Sequence, residues 1–473
     1  MTAAGETAPV AESSAAAVFR NRPFLLLWLS QLATQVGGNM VLYGLTVLVY
    51  GSTDSNSAVS ILILTFLAPA VIFSALAGVY VDRFDRRLVL VATNLIRAAL
   101  FVALAVFDAN ILLVFVLNTL VSVATTFFAP AELSMIPIVV PRRQLTAATG
   151  IFTLTLNAAF AIGFTVLGPL VVSVFSPTIL IVVVAVLYLV AAGFCWTLPP
   201  APPGTMPHDA ALHEAEEAVG SFVQQFREGI AYVRAHPIVR WALLYLGIAA
   251  SIVGILGVLG PGFAEEVLGL TEKDFVVVVL PLGVGVVTGA LVVARVQGMI
   301  ARRRLIEIGL IVLGVCLVLL SIAAPIAEFV GRVDSAAPGP DLSRFVSVLT
   351  VVVAIAFVAG IAYAAVAIPA QTELQEEIPQ AVRGRVFGIL NMLVSVGSLL
   401  PIVIVGPISD TLGTMPVILF AATVILLVGI LSVIRRGRAA VFDEAEPVEA
   451  DASVAPAGRS DPGTTPGPSP DEP

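Results

Sequence analysis

Residues 144–207 read QLTAATGIFTLTLNAAFAIGFTVLGPLVVSVFSPTILIVVVAVLYLVAAGFCWTLPPAPPGTMP, with no charged side chain anywhere in the run. A helix crosses a bilayer in about 20 residues. A 64-residue uncharged stretch therefore holds two crossings, and the turn between them belongs at Ser176-Pro177, since Pro sets an extended residue before it and starts a helix well. The other apolar runs are 23–53, 55–81, 88–107 (interrupted by Arg97), 109–131, 241–264, 275–294, 308–327, 345–372, 386–409 and 411–434. Together they make twelve spans, an all-α integral membrane chain. The composition agrees: 58% of residues are hydrophobic and 12% charged, against roughly 25% charged in soluble domains, and mean hydropathy is +1.02.

The net charge of −8 does not describe the body. Residues 439–473 hold eight acids against Arg459, a balance of −7. With the remainder nearly neutral, polyanionic nucleic acid is not an expected partner. Lys273, the single lysine, lies outside any glycine-rich phosphate loop, which excludes a Walker-type ATP site. His208, His213 and His236 all fall in the central loop, so no intramembrane metal site and no cofactor is expected. Cys195 and Cys316 sit in apolar runs and indicate no disulfide framework.

Basic residues in short loops stay cytoplasmic. One side collects nineteen arginines, at 20, 22, 83, 86, 87, 142, 143, 227, 234, 240, 295, 302–304, 383, 385, 435, 436 and 438; the other collects Lys273, Arg332 and Arg344. Both termini and the central loop are thus expected in the cytoplasm of a plasma-membrane protein. Residues 1–19 are polar and Ala-rich and do not read as a cleavable leader.

The second half repeats the first. Pro23 matches Pro237, Pro69 and Arg83 match Pro281 and Arg295, and Pro141, Gly150, Gly168 and Pro169 match Pro379, Gly388, Gly406 and Pro407 at a single offset. Parallel six-helix repeats around a central cavity suit alternating access. The expected organisation is a disordered 1–19, a six-helix bundle 20–198, a cytoplasmic linker 199–236, a second bundle 237–436 and a disordered acidic tail 437–473.

Between spans 2 and 3 stands Gly78-Val-Tyr-Val-Asp82-Arg83-Phe-Asp85-Arg86-Arg87. This resembles the major facilitator superfamily loop signature G-x-x-x-D-R-x-G-R-R, with Asp85 at a glycine position. Asp tolerates the left-handed region better than most residues, so the turn is expected to survive. Phe226-Arg-Glu-Gly-Ile-Ala-Tyr-Val-Arg-Ala-His-Pro237, Pro130-x-Glu132-x6-Val-Val-Pro141 and Arg383-Gly-Arg-Val-Phe-Gly388 resemble the proton-driven branch that includes enterobactin and macrolide exporters. The resemblance implies efflux of a small amphipathic compound in exchange for protons, by a membrane protein that is not an enzyme. Gly163, Gly168 and Pro169 form a partial version of the antiporter signature, with Val172 and Ser173 where glycines are expected.

Gly78, Asp82, Arg83, Arg86 and Arg87 are the candidate conformational gate: acid–base pairs at a helix end can lock one arrangement of helices. Gln31, Gln35 and Asn39 recur every fourth residue along one side of span 1. Asn118, Ser122 and Thr126 do the same in span 4, while Thr153 and Asn157 in span 5 are matched by Asn391 and Ser395 in span 11. Such groups either line a wet substrate cavity or bond helix to helix. Arg97 inside span 3 is a functional suspect by default. Glu132 is the expected proton carrier if span 4 continues past Pro130, and a solvated loop residue if it does not. Phe222, Phe226, Ile230 and Val233 mark an amphipathic helix on the inner membrane surface, joining the halves. Two other readings remain: a metabolite importer of the same fold, and a transporter-like sensor or assembly subunit working through its tail. An enzyme is disfavoured, because paired carboxylates and Ser/His constellations are missing.

Overall fold

The computed structural model describes residues 15–81, 83–201, 229–266, 271–296, 298–322, 348–377 and 383–444, with positions 224, 227, 268 and 269. Twelve long helices run through them: α1 Arg22–Thr53, α2 Asn56–Val81, α3 Arg86–Val106, α4 Ile111–Val139, α5 in three joined pieces, α6 Pro177–Trp196, α7 Pro237–Glu266, α8 Val276–Val296, α9 Arg302–Ser321, α10 Val348–Glu377, α11 Arg383–Leu412 and α12 Thr414–Glu444. Eleven of the stretches are long and apolar enough to cross a bilayer; α11 supplies a shorter apolar piece, Val396–Leu412. The protein is a multi-pass membrane protein. Large apolar side chains such as Leu112, Val106 and Phe420 point out of the bundle, as a hydrocarbon surrounding allows.

Helix ends follow local chemistry. Ser176 caps α6 by accepting from the Ile179 N–H at 3.2 Å, with Pro177 in the first turn, so the long uncharged run breaks at Ser176-Pro177. Asn110 caps α4 in the same way through Leu113. At the end of α1, Asp54 takes φ 47°.

One expectation is corrected. Asp85 is not left-handed: at φ −61° it is the extended N-cap of α3, accepting from the Arg87 N–H at 2.9 Å and from the Ala201 N–H at 3.3 Å. Its carboxylate satisfies orphan helix N–H groups and ties the loop to the end of α6, so the turn needs no glycine. Ahead of α1, Ala15–Phe19 is helical, and Val18 is buried in one apolar cluster with Phe24. At the other end α12 continues to Glu444. Residues 445–473 lie outside the described residues.

α5 is α-helical over Leu145–Ile162, widens to a π turn over Gly163–Leu167 and resumes over Gly168–Val174. The π turn sits where α5 meets α1: a Cβ on Gly163 would stand 2.7 Å from the Val36 carbonyl oxygen and 2.9 Å from Asn39 Cβ. In the second half α8 and α10 cross with backbones almost touching. A Cβ on Gly285 would overlap the Phe357 carbonyl, and one on Gly360 would overlap that of Leu282.

Residues 1–429 form one compact unit, and 430–473, which begins with the end of α12, form a second. Within the first unit the two halves meet at the arginine-poor end. Tyr43 of α1 stacks on Phe275 before α8, centroids 5.8 Å apart and rings within 5° of parallel. Thr165 of α5 fills the space over Gly283 of α8, and Gly406 of α11 sits against Asn56 and Ser60 of α2. These are related pairings, α5 with α8 and α11 with α2, as a repeat requires. At the arginine-rich end each half keeps its own apolar cluster. Phe24, Leu27, Leu90, Phe128 and Met135 belong to the first, and Val239, Ala242, Leu374 and Leu390 to the second.

Candidate functional site

α4 decides the fate of Glu132. It runs through Pro130 and Pro137 to Val139, and Ser134 Oγ donates to the Pro130 carbonyl, an adjustment by which membrane helices re-satisfy backbone groups around proline. Glu132 is therefore helical and only 5% exposed, not a solvated loop residue.

Opposite it, α3 buries Arg97 at 1% exposure. The guanidinium donates to Asn94 Oδ1 at 2.6 Å and to the Thr93 carbonyl at 3.3 Å. It lies over two rings, 4.3 Å from the Phe128 centroid and 4.5 Å from that of Tyr188. Arg97 and Glu132 interact electrostatically, yet Oε1 of Glu132 is buried with no hydrogen-bond partner. The polar cluster extends into α1 and α6. Ser30 Oγ and Cys195 Sγ are 3.1 Å apart, Asn94 Nδ2 lies 3.6 Å from the same sulfur, and the Tyr188 hydroxyl donates to the Thr34 carbonyl. Four helices of the first half thus surround one buried cation and one incompletely satisfied carboxyl. Buried charges persist in such surroundings only when paired and hydrogen-bonded. Within membranes they mark ion or proton pathways.

The family model for the Major Facilitator Superfamily matches residues 27–401. The chain belongs to that superfamily. Among relatives, the multidrug efflux pump Tap of Mycolicibacterium fortuitum is 22% identical over 422 residues, 87% of this chain and 95% of that protein. Macrolide efflux protein A of Streptococcus pyogenes is 22% identical over 415 residues, 86% and 94% of the two chains. Among solved structures, the nucleoside transporter NupG superposes with a TM-score of 0.62 at 14% identity, covering 88% of this chain and 98% of its own. That likeness concerns the fold. The chain is a superfamily transporter with efflux proteins among its relatives.

The remaining polar residues of this transporter sort themselves by partner. Gln31 Nε2 donates to the Phe152 carbonyl of α5 at 3.5 Å, and its buried Oε1 has no partner. Asn39 Nδ2 turns back to the Gln35 carbonyl, and Gln35 is half-buried. Asn118 Nδ2 donates to Thr65 Oγ1 at 3.0 Å and Ser122 Oγ to the Phe66 carbonyl at 2.5 Å, so both bond α4 to α2. Thr153 is exposed and its hydroxyl donates to the Thr149 carbonyl. The side chains of Asn157, Asn391 and Ser395 lie outside the described residues. An open apolar groove lies between α8 and α10, bordered by Leu280, Thr350 and Phe357. It contains none of the predicted residues.

Of the loop signature, Gly78 is in the last turns of α2 and Asp82 lies outside the described residues. Arg87 lies over the Trp196 ring at 5.2 Å, and the Arg86 N–H donates to the Ala201 carbonyl. Arg83 caps the end of α2 through its N–H to the Tyr80 carbonyl. Sequence reasoning passed over Tyr188, Cys195, Ser30 and Phe128. Their spacing held the information: Phe128 and Glu132 are one turn apart, Asn94 and Arg97 nearly so, and Tyr188 and Cys195 two turns apart, which puts each set on one helix face. The amphipathic helix lies partly outside the described residues; its end packs Tyr232 and Val233 onto the second half's cluster.

Proposed function

We propose that this chain is a proton-coupled exporter of small amphipathic compounds, of the drug, macrolide or siderophore class, working by alternating access in the plasma membrane. Its termini and the 199–236 linker are cytoplasmic, as the arginine distribution favours. The observation that carries the reading is the buried Glu132 carboxyl, left without a partner at Oε1 and facing the electrostatic pull of Arg97. Such a carboxyl exchanges a proton when its surroundings change. Protonation cancels its attraction for Arg97, and a shift in that contact is delivered to α1, α3, α4 and α6 together. The two halves joined at the arginine-poor end correspond in this reading to an inward-facing state, poised to accept a compound from the cytoplasm. Similarity along nearly their whole length to a multidrug and a macrolide efflux protein supports the outward direction.

Inverted vesicles with an imposed pH gradient test it. Vesicles holding the parent chain are expected to accumulate at least one macrolide, cationic dye or siderophore, and vesicles holding Glu132→Gln to fall to background. Full gradient-driven uptake by the Gln variant would remove Glu132 from the mechanism, and no uptake of any of the three classes would end the export reading.

A further inference from the structure

Asp410, at the last turn of α11, divides two apolar runs and takes no part in the cluster around Glu132. Its carboxylate reaches across to the other half and accepts three hydrogen bonds, two from the first turn of α2 and one from Ser55 just before it. They come from the Asn56 N–H at 2.7 Å, the Ser57 N–H at 3.0 Å and the Ser55 hydroxyl at 2.7 Å. A helix begins with N–H groups that lack intrahelical partners, and a negative charge there is favourable. α2 is therefore capped in trans, by a residue hundreds of positions away. Beside it, Asn56 Nδ2 donates to Ser409 Oγ at 3.2 Å and Ser60 Oγ to the Ile402 carbonyl at 2.8 Å. Gly406 leaves no room for a side chain between the helices at this point, and Gly262 is in tight contact with the Asn56 and Tyr50 side chains.

We infer that Asp410 is the latch of the arginine-poor gate, holding the halves together at that end by capping α2 across the seam. Separation of the halves there must strip the α2 N-terminus of its acceptor, leaving those N–H groups to water, while the carboxylate loses three donors. The latch consequently sets the equilibrium between the two access states. Ser55 has a second task, since its Oγ also accepts from the Ala58 N–H at 3.2 Å, so it both caps α2 locally and presents the helix end to Asp410. The inference rests on the alternating-access reading but not on export, substrate or proton coupling.

The test is a distance across the gate, read without substrate. Leu112 at the start of α4 and Leu349 at the start of α10 are exposed at the arginine-poor end of opposite halves. Spin labels placed there by Leu112→Cys and Leu349→Cys report the opening by pulsed dipolar spectroscopy, and the native Cys195 and Cys316 are buried away from label. Asp410→Asn is expected to raise the ratio of the long-distance to the short-distance population by up to about fivefold, the scale of a charge at a helix N-terminus. Ser55→Ala should shift it the same way by less, and Asp410→Glu should restore much of the short-distance population. Unchanged distributions in Asp410→Asn, with the protein monodisperse, would overturn the inference. Were Asp410→Asn not to fold, an unshifted Ser55→Ala would do so. A shifted distribution in a chain that exports nothing would uphold the latch while the export reading fails.

Discussion

The Arg97 guanidinium lies over the Phe128 ring at 4.3 Å from its centroid, so α4 offers α3 an aromatic face and, one turn further on, the Glu132 carboxyl. The cation is held by rings and amide oxygens as well as by charge. Its removal and its neutralisation are therefore different experiments.

Arg97→Ala leaves a buried carboxyl without its countercharge and should cost about 3–5 kcal/mol, read as a large drop in melting temperature in detergent. Adding Glu132→Ala to that variant should recover part of the loss. Simple additivity of the two single effects in the double-mutant cycle would contradict the coupling. Arg97→Lys should also be damaging, because an ammonium cannot stack over Phe128 and Tyr188 as a planar guanidinium does.

Gly163→Ala inserts a methyl 2.7 Å from the Val36 carbonyl and should destabilise by about 1–3 kcal/mol, the usual cost of overpacking. Gly193 in α6 is the control: no atom stands within 4 Å of its Cβ position. There the same substitution should stabilise, by up to about 1 kcal/mol. Equal melting temperatures for the two variants would remove the close α1–α5 contact.

Asp85→Ala deletes a helix cap and a tie to Ala201 together. It should lower stability by roughly 1 kcal/mol or more, and Asp85→Asn should recover most of it, since its Oδ1 accepts the same bonds. Asp85→Gly restores the residue of the family signature yet loses the Ala201 N–H bond. It should therefore be less stable than the parent, and a Gly variant of parental melting temperature would refute the capping role.

Arg302 bonds Glu376 at the arginine-rich end, Nη2 to Oε1 at 3.0 Å, and this hydrogen bond holds the Glu376 carboxyl below the usual carboxylate range. A lowered carboxylate pKa in the folded state contributes stability above the unfolded value, about 4.3, and loses it only as pH falls through the folded one. Glu376→Gln should consequently have a small effect that is the same at pH 6 and pH 8. An effect that grows between those two values would show that the pair titrates in the working range.

The span count and the turn at Ser176-Pro177 were legible because hydrocarbon thickness and proline geometry act locally. The course of α4 was not: Pro130 reads as a terminator until Ser134 is seen bonding its carbonyl. Asp85 misled for a related reason, since a loop residue with one carboxylate can either bend the chain or cap the next helix, and Ala201 decides from a distance. The polar residues of α4 divided by neighbour rather than by type. Asn118 and Ser122 face α2, whereas Glu132 faces Arg97, and only packing orients a helix about its own axis. Asp410 showed in the sequence as a break between apolar runs, but its acceptor role depends on α2 arriving beside it.

The contact of Gly285 with the Phe357 carbonyl, and of Gly360 with that of Leu282, gives α8 and α10 no lubricating layer of side chains. Two backbones in such contact cannot slide by a fraction of a residue, because each carbonyl is lodged in the notch left by the opposing glycine. α8 and α10 therefore travel as one strut, and any tilt imposed on α8 through Gly283 and Thr165 reaches α10 without slack.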